Sequence, residues 1–358
     1  MDARVPEGAR WDCRGCGDCC RLYALGPVEP AIVDALRARD VAAHWAPAAG
    51  GWVEAKALPD GTNGYFFTHR DGHCVFLQDD QKCAIHARWG SDAKPGFCRE
   101  FPFHVIDEAR GPVVLARPSC STLHDSFRDG TPVADQAADV LALPRVGPRR
   151  RFSPSVVPIL PDAAVGLDDY VILEDDALAA LGTELSPGEA IAQIRGALAR
   201  RLRRDWPAAD PRRAASAARE VTQHVHRMLA GVAARPPVGE DPHRVAFVAK
   251  AARFTEAAMA GLRADPQLDG DAFAYTTLLG RTWVLGKSFQ PIGGFAAGLG
   301  AWWLGVRIAT AAVGADRVDR AALGPAMVQW TKISDHPAVT GALRLASPAL
   351  WEMFLNAA

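Results

Sequence analysis

Residues 10–30 read RWDCRGCGDCCRLYALGPVEP and place Cys13, Cys16, Cys19 and Cys20 within eight positions. The spacing C-x2-C-x2-C lets one loop wrap three sulfurs around a single centre, as bacterial ferredoxin loops do for an iron–sulfur cluster completed by a remote cysteine. Gly15 and Gly17 permit tight turns between these thiols and bring backbone N–H groups near the sulfurs. Cys20 stands apart, because adjacent side chains of an extended segment point to opposite sides. It is open to a second centre or to remaining free.

The other cysteines are Cys74, Cys83, Cys98 and Cys120, so all eight lie in the first 120 of 358 residues. This asymmetry divides the chain. Up to about residue 125 the pattern is mixed: PAIVDALRARDVAAHW (30–45) reads as a helix, whereas GWVEAKAL, GYFFTHR, HCVFL and GPVVLARP read as short strands, with turns at Asp60-Gly61 and Asp71-Gly72. Next comes PRVGPRRRFSPSVVPIL (144–160), whose prolines oppose both a regular helix and a central strand. Helix starts are explicit after it: Ser186-Pro187-Gly188-Glu189 is a capping box with proline at the first helical position, and Asp210-Pro211 and Asp241-Pro242 repeat the device. Apolar residues follow at helical spacing, in Ile191, Ile194, Leu198 and Leu202, then in Val221, Val225 and Met228. The expected fold is α+β, with a small loop-rich cysteine-cluster domain over 1–145, a linker with short connecting elements over 146–180, and a helical bundle over 181–358.

With 40 basic and 41 acidic residues the net charge is −1, so no global field draws the chain to nucleic acid or anionic lipid. The arginine runs at 149–151 and 200–204 lack interleaved aromatics and read as solvated surface. The apolar run Phe289–Gly314 is nearly long enough to span a bilayer, but Arg307, Pro291 and Gly293-Gly294 favour a buried bundle helix. The N-terminus shows no secretory pattern, so a cytoplasmic location is expected, where thiols stay reduced.

The runs WDCRGCGDCCR, CVFLQDDQKCAIH and KPGFCREFPF, with Cys120 last, resemble in order and character the YkgJ-like cysteine-cluster family, known by its CxxCxxCC pattern as a zinc- or iron-chelating family. The resemblance covers roughly residues 11–125 and implies a metal role for all eight cysteines. Lys94-Pro95 stands where the family has Arg-Pro, ARWGSD (87–92) looks like a loop insertion, and His86 replaces a tyrosine and adds a nitrogen donor. A looser likeness to flagellin lysine N-methylases implies an alternative activity, cluster-dependent methyl transfer from S-adenosylmethionine to a protein substrate. No glycine-rich nucleotide loop follows a strand, and the glycines of GGFAAGLG (293–300) lie in an apolar helical context.

Eight cysteines in a small secreted protein would suggest disulfides, which the length and expected compartment oppose. The C-x-x-C pairs also allow a thiol redox role, but that needs only two cysteines. Metal ligation accounts for all eight. The C-x2-C-x2-C tripod favours [4Fe–4S], whereas zinc sites more often use two separated C-x2-C knuckles. His69, His73, His86 and His104 are secondary candidates, while His224 and His226, two apart on an expected helix, face different directions. A protein partner or substrate remains unidentified.

Overall fold

A computed structural model of the chain describes residues 2–22, 27–58, 61–143, 149–182, 185–236, 242–262, 266–287 and 292–356. Asp60, Asp241, Phe289 and Pro291, with residues 144–148 of the expected boundary, lie outside the described residues. The chain forms two compact units, one of residues 1–5 and 9–151, the other of residues 6–8 and 152–358. The fold class is α+β: strands concentrate in 53–166 and long helices follow.

In the first unit the hairpin Val53–Ala57/Asn63–Phe67 pairs Val53 with Phe67, and a second hairpin pairs His69 with Cys74. The second turns through Asp71 at φ 49° and Gly72 at φ 78°, the left-handed pair that an Asp-Gly turn supplies and that matches strand twist. Phe103–Glu108 pairs antiparallel with Val113–Ala116. The 30–45 helix is in fact two, Pro30–Ala38 and Val41–His44, broken where Asp40 adopts φ 47°. Val33, Leu36, Trp52, Phe67, Phe76 and Ile85 form the buried core, with the Phe67 and Phe76 rings 4.9 Å apart. The ARWGSD segment is not a loop: its first three residues finish the helix Ala84–Trp89, and Ser91–Ala93 make a 3-10 turn.

In the second unit the hairpin Val156–Leu160/Ala163–Gly166 leads into Leu167–Ala180, a 14-residue helix in the stretch expected to hold short connecting elements. Pro187–Leu202 starts from the expected capping box, with Ser186 N–H donating to Glu189 at 2.8 Å and Glu189 N–H to Ser186 Oγ at 3.3 Å. Asp210 caps Pro211–Ala234 by accepting from Arg212 N–H at 2.9 Å. Ile191, Ile194, Leu198, Val221 and Val225 are buried as expected, but Leu202 is half-buried, and Leu229 takes the buried place next to half-buried Met228. Phe295–Val313 is buried from Phe295 through Ala311 and packs against Pro242–Gly261, Arg320–Ser334 and Ser347–Asn356. It is long and apolar enough to cross a membrane by length and composition, with 83% of that window buried inside its unit. A Cβ on Gly300 would run into the Leu350 carbonyl, so glycine there sets how closely two helices approach. The same unit buries the Lys287–Glu174 ion pair, with Tyr170 donating to Glu174 at 3.1 Å.

Candidate metal centre

Each cysteine lies in the first unit, and all eight are free thiols. Cys19 and Cys20 open the short helix Cys19–Leu22, Cys83 and Cys120 directly precede the helices Ala84–Trp89 and Ser121–Asp125, and Cys98 sits within Gly96–Glu100. Such one-turn helices are too short for periodicity to reveal, so none was legible as an element. Turns and a helix start aim backbone N–H groups at sulfur: Cys16 accepts from Asp18, Cys74 from Phe76, and Cys120 from Thr122 and Leu123 at the start of Ser121–Asp125.

The helical start corrects the expectation for Cys20. Because residues 19–22 are helical rather than extended, Cys19 and Cys20 do not diverge; their sulfurs stand 3.9 Å apart and share a hydrogen bond. That bond lowers Cys19 to about 7, helped by the nearby Lys94 ammonium, and raises Cys20 above its ordinary value. Burial pushes Cys74 up to about 12 and also raises Cys16, Cys98 and Cys120, with Lys94 partly offsetting the effect at Cys98. These buried thiols favour the protonated form until a cation replaces the proton.

The loop carrying Cys13 to Cys19 is held from both sides. Trp11 donates from its indole to Thr122 Oγ1 at 2.9 Å, Arg10 to the Gly130 carbonyl at 2.8 Å, and Thr131 N–H to Asp12 at 3.1 Å. Arg14 pairs with Asp129 at 2.7 Å, and Ser121 bonds Asp18. On the other side Arg21 donates to the Cys16 carbonyl at 3.2 Å and to Gln81. Gly17, at φ 70°, lies so close to Arg21, Gln81 and Leu77 that a Cβ would collide with them. Apart from the Arg21–Cys16 bond, these ties join residues some 60 to 120 positions apart, and no local sequence signal announces them.

Six cysteines, Cys13, Cys19, Cys20, Cys74, Cys83 and Cys98, line one cavity of about 910 Å³. Its walls include the aromatic rings of Phe67, Phe76, Phe97 and Phe103, and Arg14, Lys82, Lys94 and Arg117 bring positive charge to it. Cys16 lies instead within electrostatic range of Cys120, as well as of Cys19. Among the described residues no three His, Cys, Asp or Glu side chains stand close enough together to clasp a single ion.

Of the candidate histidines, His86 lines the cavity. His73 Nδ1 is 3.2 Å from the Asp71 carbonyl, and Arg117 donates to His104 Nδ1 at 3.3 Å, so hydrogen bonds engage both rings. His69 is half-buried in the hairpin opposite Cys74. In the second unit His226 Nδ1 donates to the Ala252 carbonyl at 3.1 Å, while His224 borders a surface groove, so the two face different surroundings. Lys94 is the residue whose role sequence reading missed; its place beside a cysteine-bearing helix was the available signal.

No curated protein and no solved structure matches the chain. One family model does, over residues 12–121, and its description is "CxxCxxCC: putative zinc- or iron-chelating domain". The matched segment contains every cysteine of the chain, together with the cavity's Lys94 and Arg117. Residues 12–121, about a third of the chain, are therefore similar to the CxxCxxCC family, and the rest of the chain lies outside the match.

Proposed function

We propose that the first unit binds iron through its cysteines as an iron–sulfur cluster, with [4Fe–4S] favoured by the C-x2-C-x2-C spacing. The observation that carries this reading is the set of six thiols around one cavity of about 910 Å³. A polynuclear cluster takes one terminal thiolate at each iron and fills the space between with sulfide, so its ligands stand apart around a volume. Soft thiolates suit iron–sulfur or zinc better than hard cations. Lys94 and Arg117 would offset the negative charge of a thiolate-bound centre, and the N–H groups on Cys16, Cys74 and Cys120 would hold those sulfurs in place. When bound, the centre supplies electron transfer or Lewis acidity.

A zinc reading draws on the vicinal pair. Tetrahedral Zn–S bonds of about 2.3 Å set sulfur–sulfur edges at roughly 3.8 Å, and Cys19 and Cys20 stand 3.9 Å apart. Thiol exchange draws on Cys19, lowered to about 7, but burial raises Cys16, Cys74, Cys98 and Cys120 and so disfavours at those four the thiolate that exchange requires.

Anaerobic purification of the full chain with iron, zinc and sulfide analysis tests these readings. Brown protein containing iron and acid-labile sulfide is expected. Colourless protein with stoichiometric zinc would overturn the cluster in favour of zinc. Metal-free protein whose thiols all react freely would overturn both.

A further inference from the structure

Three features of the first unit sort its thiols into two groups. The first is packing: Cys74 belongs to the buried core with Val33, Leu36, Phe67 and Phe76, and Cys20 and Cys83 pack against that core. Cys98 joins them, since Cys74 and Cys83, with Cys19, act on it electrostatically, and Cys20, Cys74, Cys83 and Cys98 all line the cavity, which Cys13 and Cys19 also reach. The second is the polar framework. Cys120 is bonded to Thr122 and Trp11, and Ser121 holds Asp18, so Cys120 is built into the strap that fixes the loop of Cys13, Cys16 and Cys19. Cys16 feels Cys120 and Cys19, and Cys13 is exposed. The third is the junction, where Cys19 and Cys20 stand 3.9 Å apart; Cys19 faces both groups, lining the cavity and acting on Cys74 and Cys98 as well as on Cys16.

We infer that the eight thiols serve two separate centres, an inner one held by Cys20, Cys74, Cys83 and Cys98 and an outer one held by Cys13, Cys16, Cys19 and Cys120. The inference rests on the metal-binding reading of this domain and divides its ligands. It also gives the vicinal pair a reason. Two sulfurs this close cannot both serve as terminal ligands to different irons of one cube, but they can belong to adjacent centres whose shells meet at the Cys19–Cys20 peptide. Lys94, which acts on both Cys19 and Cys98, then lies at the boundary, where two negatively charged centres would repel each other most. The inner centre would adjoin the hydrophobic core through Cys74, whereas the outer one would reach solvent through Cys13.

The test compares the full wild-type chain, reconstituted anaerobically with ferrous iron and sulfide, with Cys16→Ser/Cys120→Ser and Cys20→Ser/Cys83→Ser. Each double variant should retain about half the wild-type iron and sulfide, as expected when one of two independent clusters is lost. A folded double variant that keeps all the iron, or loses all of it, overturns the division. Exposed Cys13→Ser guards against a packing defect: it should weaken only the outer half, and loss of both halves in this variant also overturns the division.

The reduced wild-type chain provides a reading without substitutions. Two adjacent paramagnetic clusters should split or broaden each other's resonance, and a sharp isolated signal at full loading counts against two centres. Failure of the underlying reading looks different. A wild-type chain that takes up zinc without sulfide overturns the cluster but leaves the same halving to be read in zinc, whereas a chain that takes up neither metal overturns both proposals.

Discussion

The two units of this chain are stabilised by different means. In the second, long capped helices bury continuous apolar surface, and Phe295–Val313 is covered along nearly its whole length. Most of its order is local in sequence, with contacts between neighbouring turns and helices. In the first, four cysteine-bearing segments are short turns and one-turn helices, positioned by hydrogen bonds across 60 to 120 residues and by thiols around a cavity. Loops of this kind bury little apolar surface for each residue they order, so a metal linking them contributes to folding directly. On the proposed metal reading, one unit stands on burial and the other on burial and ligation together, and the two should fail under different treatments.

The largest effect should come from removing the metal. Chelation, or reduction and alkylation of the thiols, should lower the stability of the first unit by an amount on the order of 10 kcal/mol, the scale of structural thiolate sites. Near-ultraviolet signals from Trp11 and Trp52 should collapse while the far-ultraviolet helical signal of the second unit persists; a single transition that carries both signals away together would break the comparison.

Next comes the buried ion pair of the second unit. Lys287→Met leaves the Glu174 carboxylate buried without its partner, at a cost of about 3–5 kcal/mol by denaturant titration. Lys287→Met with Glu174→Gln should recover much of that loss. Equal destabilisation in the single and double variants would mean that the pair's packing, rather than its charge, matters.

A smaller loss is expected for Gly300→Ala, which pushes apart the helix pair at Leu350, with about 1–3 kcal/mol lost and metal content unchanged. Ser186→Ala removes one cap and should cost about 1 kcal/mol, again without altering bound metal. If either substitution changed metal loading, the energetic separation of the units would be wrong.

The same division decides what could be read in the sequence. The helices of the second unit announce themselves through Ser186, Asp210 and the spacing of Ile191, Ile194 and Leu198, because caps and periodicity are local. The eight cysteines were legible as a metal set, and their family resemblance agrees with the match over 12–121. Their arrangement was not. Reading the Cys19–Cys20 segment as extended separated two sulfurs that a single helical turn brings together, and the strand Phe103–Glu108 was hidden in a run read for its cysteine and prolines. Nor does anything near Trp11 foretell that its indole bonds Thr122.

The strap on the cysteine loop sets a limit on the smallest working piece of this protein. The family match ends at residue 121, yet Asp12 is held by Thr131, Arg14 by Asp129, and the Trp11 carbonyl by Gln136 at 2.8 Å. Three of the eight thiols thus emerge during synthesis more than 100 residues before the segment that frames their loop. A fragment cut at the family boundary would keep every cysteine and lose that frame, so the unit to express or graft must run at least through Gln136.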